Sequence, residues 1–293
     1  MSEYSNDPPP TSNLLSYSVI LLITFLLFKM FGSKSAQSSP TTIEEEPEEP
    51  DPPRNFTSSQ LRLFDGTSAS VPTAAGSQEE QKPVYLSVHG TVFDVSNGRN
   101  FYGPGGPYEV FAGRECGAAL AKMSFDDEFL DQIDLCESLN FGEREQLNEW
   151  ISKFRDYKCY PVLGRLVPDS KIAQTGTTNN VLDKEFVKEQ TGEGEVPEGY
   201  ATSPIYVGCG DNYYDVSFGG VGFYAKGCSY HRFAGKDASR ALAMMSFEPA
   251  DIDSTNLSDL DDTKTTTLRD WCKTFKTKKS YPIVGQTGQK FGH

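Results

Sequence analysis

Histidine and concentrated positive charge are both scarce in this chain. Only three of its 293 residues are histidines, His89, His231 and His293, which excludes a metal site built from several imidazoles in one part of the chain. The formal net charge is −14, so nucleic-acid binding would need a local basic patch. The densest lysine run, at 273–279, is typical of the solvated face of a helix. We therefore expect no nucleic-acid partner.

Closely spaced cysteines and catalytic motifs are also missing. The chain has no CxxC, no P-loop, no HExxH and no GxSxG, and Glu109 and Glu115 are typical of solvated or helix-starting residues. The chain is therefore predicted not to be an enzyme. Free thiols in a reducing compartment are the expected state of its cysteines, because three fall in each half and cannot all pair within it. The six are Cys116, Cys136, Cys159, Cys209, Cys228 and Cys272.

Three non-globular segments are predicted before residue 56. Residues 1–13 have the composition of a disordered tail, and residues 14–31 are almost wholly apolar. A helix of those 18 residues would span roughly 27 Å, which is enough for a bilayer core. A cleaved signal peptide is the alternative, but it normally begins with positive charge, whereas the front here is acidic and the lysines lie behind. A retained anchor would leave the body in the cytosol, beyond an extended acidic, proline-rich spacer at 32–55.

The first folded unit is predicted over residues 56–167. Its strands are indicated by apolar alternation at 84–88 and 91–95 around a two-residue turn. A T-x-x-Q capping box at 57–60 predicts a short helix, and 68–82 is expected to be a small polar loop. A strand is predicted at its end, around YPVLG. A longer helix with one buried face is also predicted. Its apolar residues follow the spacing i, i+3, i+4 and i+7, at Leu147, Trp150, Ile151 and Phe154.

The second unit is predicted over residues 200–288, behind a mixed linker at 168–199. It repeats the first at an offset of 121 or 122 positions, which is far above a solenoid period and predicts two whole domains. The matching positions include Tyr206, Val207, Tyr214, Asp215, Val216, Leu268, Trp271, Cys272, Phe275 and Tyr281.

Each unit contains a loop with two tyrosines six residues apart, FYGPGGPYEVFAGR at 101–114 and FYAKGCSYHRFAGK at 223–236. Glycines let a backbone approach a flat ligand closely, and a tyrosine phenolate is a recognised axial ligand of ferric haem. The other tyrosine could hydrogen-bond the ligating oxygen. The alternative is a surface turn whose tyrosines simply pack.

Residues 57–166 resemble the membrane-associated progesterone receptor family, whose domain has a cytochrome b5-like haem/steroid-binding fold. The segments that carry the resemblance are VFDVS at 92–96, FYGPGGPYEVFAGR at 101–114, ALAKMSFD at 119–126 and the W-x(3)-F, Y-P-V-x-G tail at 150–164. The expected fold class is α+β, with two tandem cytochrome b5-like haem/steroid-binding domains behind an N-terminal transmembrane helix.

The resemblance implies penta-coordinate haem b ligated by Tyr108. Tyr102 would be the hydrogen-bonding neighbour of that ligand, and Gly103 and Gly106 would belong to the haem-binding loop.

The family also uses a lysine-tyrosine pair in the tail. Tyr160 matches the tyrosine, whereas the nearest lysine, Lys158, is displaced by one position from the family pattern. In the second unit Tyr230 and Tyr224 occupy the ligand and neighbour positions, and Tyr281 occupies the tail position. Because that loop lacks both prolines and two of three glycines, haem binding there stays open.

The shortage of histidine separates this chain from the electron-transferring cytochrome b5. That protein needs two axial histidines per haem, but the first unit contains only His89 and the second only His231. His231 is therefore predicted to be exposed or hydrogen-bonded, although it could replace the neighbouring tyrosine as a ligand.

The resemblance implies a non-enzymatic adaptor in the endoplasmic reticulum or another endomembrane. The implied partners are haem, a sterol, the membrane itself, haem-thiolate monooxygenases of sterol metabolism and a second copy in a haem-mediated dimer. The alternative is a haem-free scaffold that binds sterol or protein in the same cleft.

Overall fold

The computed structural model describes residues 52–73, 76–175, 180–289 and 291. The predicted tail, the predicted transmembrane helix and nearly all of the predicted spacer lie outside the described residues. Within the described part, no helix is both long and apolar enough to cross a membrane.

The first unit is built around an antiparallel hairpin, as the apolar alternation predicts. Strands β4 (Tyr85–Val88) and β5 (Thr91–Asp94) pair around His89 and Gly90, whose φ values of +49° and +75° suit a two-residue I′ turn. Strand β5 also pairs with β6 (Val162–Leu166), which begins later than the predicted closing strand.

The strand β1 (Arg54–Phe56) completes this sheet by pairing parallel to β6, in the order β1-β6-β5-β4. The first unit therefore begins before its predicted boundary at residue 56. The predicted capping box is confirmed, because the Thr57 hydroxyl accepts from the backbone N–H of Gln60 at 3.1 Å, and the Gln60 side chain accepts from Thr57 N–H.

Helices and apolar side chains cover both faces of the sheet. The helices of this unit are α1 (Ser58–Leu61), α2 (Arg99–Tyr102), α3 (Gly117–Lys122) and α4 (Phe141–Ser152), with a π-helical turn at Lys153–Tyr157. Leu86 and Phe93 face the larger core, where Trp150 of α4 is buried, whereas Tyr85 and Val92 face a smaller core. The sheet is therefore buried on both sides.

A buried carboxylate joins the hairpin turn to α3. Glu115 is 1% exposed, and its Oε1 accepts from the backbone N–H groups of His89 and Gly117, each at 2.8 Å. Its Oε2 accepts from Ser87 Oγ at 2.5 Å and Gly90 N–H at 2.9 Å. The prediction of a solvated Glu115 is wrong, because these four donors replace water, whereas its helix-starting role is confirmed by the bond to Gly117.

Two segments predicted to be irregular contain regular structure. The expected loop at 68–82 forms the two-stranded ladder of β2 (Ser68–Thr73) and β3 (Gly76–Gln81). The prediction of a loop is wrong. The segment is small and polar and shows no apolar alternation, but a two-stranded ladder is held by backbone hydrogen bonds, which do not require apolar side chains.

The predicted linker at 168–199 contains α5 (Asp169–Thr175) and α6 (Lys184–Lys188). The Asp183 side chain caps α6, and Val187 is 1% exposed in a core beneath the second sheet. Helices this short give too few turns for a periodic signal, so the sequence did not indicate them within the linker.

The second unit has its own four-stranded sheet, in the order β10-β8-β7-β9. The strands are β7 (Tyr206–Cys209), β8 (Asn212–Asp215), β9 (Lys236–Asp237) and β10 (Ile283–Gln286). The helices are α7 (Val221–Tyr224), α8 (Ser239–Met244) and α9 (Asp262–Lys273), followed by a π-helical turn at Thr274–Lys278.

Unusual backbone conformations recur at equivalent places in the two units. Positive φ values occur in the pairs Gly105 and Gly227, Gly113 and Gly235, Met123 and Met245, Asp131 and Asp253, and Cys159 and Ser280.

The N-terminal segment of the first unit binds the second unit through two buried amides. Asn55 donates to Ser217 Oγ at 2.9 Å and accepts from the N–H of Ala201 at 2.7 Å. Gln60 Nε2 donates to the carbonyls of Phe218 at 2.7 Å and Lys279 at 2.8 Å. These contacts connect α1 with the end of the second unit's π-helical turn.

We predict that Gln60→Glu destabilises the protein by about 1–3 kcal/mol, because a carboxylate facing carbonyl oxygens loses both donations. The capping box survives, since glutamate serves equally well at that position. Urea unfolding of the full chain measures the effect. The exposed Gln132→Glu makes the same charge change as a control, and equal stability of the two variants would contradict the prediction.

Candidate functional site

The tyrosine loop of the first unit is closed by its own backbone. Gly103 N–H donates to the carbonyl of Arg99 at 2.8 Å, and Tyr108 N–H donates to the carbonyl of Phe101 at 2.8 Å. A Cβ on Gly103 would lie 2.6 Å from Arg99 Cγ, and one on Gly106 would lie 2.5 Å from the Phe101 oxygen. Both glycines therefore lie close to other atoms of their own loop, and their contribution to ligand binding stays a prediction.

This loop brings together the three tyrosines predicted for the site. The rings of Tyr102 and Tyr108 stack with centroids 5.7 Å apart, and Tyr160 meets Tyr102 edge-on at 6.3 Å. Tyr102 is 3% exposed and Tyr108 is 5% exposed. Tyr102 therefore lies between the proposed ligand and the tail tyrosine.

An aromatic wall around Tyr108 was not assigned to the site from the sequence. Tyr108 contacts Phe111 and Phe125, each with ring centroids 5.9 Å away, and Trp150 at 6.4 Å. The sequence placed Trp150 on the buried face of a helix and Phe125 in the ALAKMSFD segment. Neither pattern indicated that these residues lie beside Tyr108. Their convergence on Tyr108 depends on the packing of α4 against α3.

Burial controls the protonation of the neighbouring phenol. Desolvation raises the pKa of Tyr102 well above its ordinary value, and the nearby Tyr160 and Tyr108 raise it further. Burial also raises the pKa of Tyr160. Tyr102 therefore keeps its proton at neutral pH and is available as a hydrogen-bond donor.

Lys158 follows the π-helical turn and is half-buried. Its ammonium lies 5.5 Å from the ring centroid of the exposed Tyr157. Between it and Tyr160, Cys159 adopts a φ of +51°, so the one-residue displacement is absorbed by a left-handed residue. A role for Lys158 in cofactor binding stays a prediction.

The second unit repeats the tyrosine pair with a more open ligand position. Tyr224 and Tyr230 have ring centroids 5.8 Å apart, and Tyr230 also stacks on Phe247 at 5.8 Å. Tyr230 is half-buried, whereas Tyr224 and Tyr281 are each 5% exposed.

The altered loop keeps the one glycine that its backbone requires. Gly227 has a φ of +86°, close to the +81° of Gly105, whereas the two glycines that are lost have negative or extended φ values. The loop can therefore keep its course without the prolines.

His231 is hydrogen-bonded, as one of the two predictions for it proposed. Its Nδ1 lies 3.2 Å from the backbone oxygen of Tyr224, and because a carbonyl can only accept, Nδ1 is the donor. In a neutral ring, this bond selects the tautomer with its proton on Nδ1.

The residues of the first unit suit a haem in their chemistry. They supply a phenol, an adjacent protonated donor and apolar walls, which is what a tyrosine-ligated haem needs. Gln146, one turn before Trp150 on α4, has a buried Nε2 without a hydrogen-bond partner in the described part of the chain, so a polar group of a ligand would find a donor there. Because Tyr108 is 5% exposed, the aromatic wall must separate to admit a porphyrin.

Comparison with known proteins agrees with this chemistry. The family model "Cytochrome b5-like Heme/Steroid binding domain" matches residues 73–166, within the first unit. The chain is 33% identical over 177 residues to the cytochrome P450 regulator dap1 of Schizosaccharomyces pombe, covering 58% of this chain and 98% of that protein. It is 41% identical over 112 residues to the probable steroid-binding protein 3 of Arabidopsis thaliana, covering 38% and 97% respectively.

A third relative is the membrane-associated progesterone receptor component 2 of Rattus norvegicus, which is 35% identical over 159 residues, covering 53% of this chain and 67% of that protein. The first unit thus has the α+β fold of the cytochrome b5-like domain. The chain belongs to the membrane-associated progesterone receptor family, which carries a cytochrome b5-like heme/steroid-binding domain.

Proposed function

We propose that this protein is a membrane-anchored haem-binding adaptor that modulates or supplies haem-thiolate monooxygenases of sterol metabolism. The observation that carries the proposal is the buried pair of Tyr102 and Tyr108, with ring centroids 5.7 Å apart inside an aromatic wall. In this proposal one phenol oxygen of the pair binds a ferric iron, and the other donates a hydrogen bond to it.

Each residue has a distinct role in this proposal. Haem b, when bound, would supply a ferric iron that takes an oxygen ligand from the protein. Tyr108 presents that oxygen, and Tyr102 holds a proton that it can donate to the phenolate because burial keeps its own pKa high. Phe125 and Trp150 exclude water from the pair, and Tyr160 packs edge-on against Tyr102 and limits its rotation.

We extend the proposal to a second, tandem copy of the domain in residues 200–288. Its support is the matching order of hairpin, tyrosine loop and helix ending in a π-helical turn, together with the recurring positive φ values. Tyr230 is then the second metal ligand and Tyr224 its neighbour. The half-buried Tyr230 needs less rearrangement to receive a ligand than Tyr108 does.

The partners and the location follow from the relatives and the N-terminal sequence. One relative is called a regulator of cytochrome P450, a haem-thiolate monooxygenase, and another a steroid-binding protein. These names support monooxygenases and a sterol as partners. The apolar run at 14–31 supports a single-pass anchor in the endoplasmic reticulum or another endomembrane, with a cytosolic body. A haem-mediated dimer would use the open axial side.

The alternative is a haem-free scaffold that binds a sterol or a protein. It is favoured by the closed state of the first aromatic cluster, in which Tyr108 is already packed against three aromatic rings. Exposed apolar side chains beside the second cluster, Phe247 at 43% and Met245 at 76%, would suit such a ligand. Haem stoichiometry distinguishes the two functions.

We predict that the purified full chain binds ferric haem with a high-spin spectrum and that Tyr108→Phe removes most of the Soret absorbance of the first site. Tyr102→Phe should weaken haem binding less severely, by roughly 10- to 100-fold, because it removes only the neighbour of the ligand. Haem titration followed by absorbance measures both effects.

The exposed Tyr157→Phe is the matched control and should bind haem normally. The number of haem sites is measured with Tyr230→Phe, alone and combined with Tyr108→Phe. If each single variant loses one equivalent of bound haem, the chain binds two haems. Unchanged haem binding by Tyr108→Phe would overturn the ligand assignment, and no binding by the unmodified chain would favour the scaffold.

We predict that the Asn256 sequon carries no glycan in eukaryotic cells, because a cytosolic body does not meet the glycosylation machinery. Asn256 is the informative site because it is exposed and can carry a glycan in the folded protein, whereas a glycan on the buried Asn55 would disrupt the fold as well. A mobility shift after glycosidase treatment that disappears in Asn256→Gln would contradict the cytosolic location.

A further inference from the structure

Two cysteines of the second unit lie in contact across the interior. Cys209, at the end of β7, is fully buried, and Cys272, near the end of α9, is half-buried. Their Sγ atoms are 3.1 Å apart, about 1 Å more than the length of a disulfide bond. A Cβ on Gly210 would lie 2.9 Å from Cys272 Sγ, so the absence of a side chain there makes room for the thiol.

The first unit has no thiol at either equivalent position. Val88 ends β4 as Cys209 ends β7, and Ile151 occupies in α4 the place of Cys272 in α9, each 121 positions earlier. An aliphatic pair therefore occupies the equivalent positions in the core of the first unit. Packing of a strand on a helix does not require sulfur at these positions.

A cavity of about 430 Å³ gives access to the pair. Both cysteines line it, together with Lys273, Lys276 and Phe291. The two lysines are exposed, so the cavity lies at the surface. Small solutes can thus reach Cys272, whereas the strand shields Cys209.

The C-terminal segment forms part of the cavity wall. The backbone N–H of Phe291 donates to Asp211 Oδ1 at 2.5 Å, which seats the phenyl ring beside the thiols. The guanidinium of Arg269 lies 5.7 Å from the centroid of that ring.

The two thiols are chemically unequal. A hydrogen bond from Cys209 lowers the pKa of Cys272, against the opposing effects of burial and of Asp211 and Asp237. Burial raises the pKa of Cys209 well above its ordinary value. Cys272 is therefore the better nucleophile, and Cys209 holds the proton.

We propose that Cys209 and Cys272 form a dithiol site that hydroperoxides oxidise reversibly to an intramolecular disulfide. In the first step the Cys272 thiolate attacks a peroxide oxygen, so that an S–O bond forms, the O–O bond breaks and the leaving oxygen takes up a proton. In the second step Cys209 sulfur attacks the sulfenic sulfur, and hydroxide leaves with the Cys209 proton as water. With hydrogen peroxide, two thiols and one peroxide yield one disulfide and two waters.

The bond would join β7 to α9 and close a loop of 63 residues. Such a crosslink restricts the unfolded chain, so the thermal midpoint of the full chain should rise on oxidation. Dithiothreitol should reverse the rise.

The test treats the reduced full chain with hydrogen peroxide, blocks the remaining thiols with a maleimide and maps the linkage by peptide mass spectrometry. We expect one reducible peptide pair joining Cys209 and Cys272, formed before the exposed Cys159 is consumed. Other linkages, or faster oxidation of Cys159 without this pair, would overturn the proposal.

The matched variants introduce the residues of the first unit, Cys209→Val and Cys272→Ile. Cys209→Val should accumulate a dimedone-reactive sulfenic acid at Cys272, because the resolving thiol is gone. Cys272→Ile should form neither the sulfenic acid nor the disulfide, and peroxide should no longer raise its thermal midpoint. Equal labelling in both variants would overturn the order of the two steps, and the linkage mapped in the unmodified chain tests the pair even if a variant fails to fold.

Discussion

The first unit depends on the buried carboxylate of Glu115, which holds together parts of the chain that sequence places far apart. A charged group with 1% exposure is tolerable only if hydrogen bonds replace its water, and here the hairpin turn and the first residue of α3 supply them. The tyrosine loop enters the protein between these two attachments. Glu115 directly follows this loop, which ends at Arg114, so its hydrogen bonds hold the C-terminal end of the loop against the hairpin.

In the second unit a buried aspartate, Asp237, binds the start of the equivalent helix through fewer hydrogen bonds than Glu115 makes. Asp237 accepts from the N–H and the hydroxyl of Ser239, and burial raises its pKa. Its remaining oxygen accepts from Gln289 near the C-terminus at 2.5 Å. The shorter carboxylate therefore joins the helix start to the last described segment of the chain. The hairpin turn of the second unit reaches Asp237 only through Ser239, whose hydroxyl accepts from Gly210 N–H at 2.9 Å and donates to Asp237.

Local patterns predicted the hairpin and the long helix of the first unit but not the contacts among its elements. Alternation identified β4 and β5, and the spacing of Leu147 to Phe154 identified α4, because each signal lies within one element. The tyrosine pair was visible because both members belong to one loop. Phe125 and Trp150 reach Tyr108 from two other elements, and no local pattern encodes that meeting.

The same distinction explains the remaining differences from the predictions. The ladder of β2 and β3 has little apolar periodicity and is held by backbone pairing. The short helix α6 also lacks a periodic signal, and it is anchored by one buried valine, Val187. Cys209 and Cys272 are 63 residues apart, and wide spacing in sequence favoured isolated thiols. Only the packing of α9 on β7 brings the sulfur atoms together.

The buried amide of Asn55 has a consequence for the folding of the chain. Asn55-Phe56-Thr57 is an acceptor sequence for N-linked sugar, and oligosaccharide transfer reaches such sequences while a new chain is still unfolded. A sugar on this nitrogen would occupy the place of Ser217 and keep the two units apart. The native contact between the units therefore forms only if Asn55 carries no sugar, so the assembly of the fold itself depends on whether this sequence is modified.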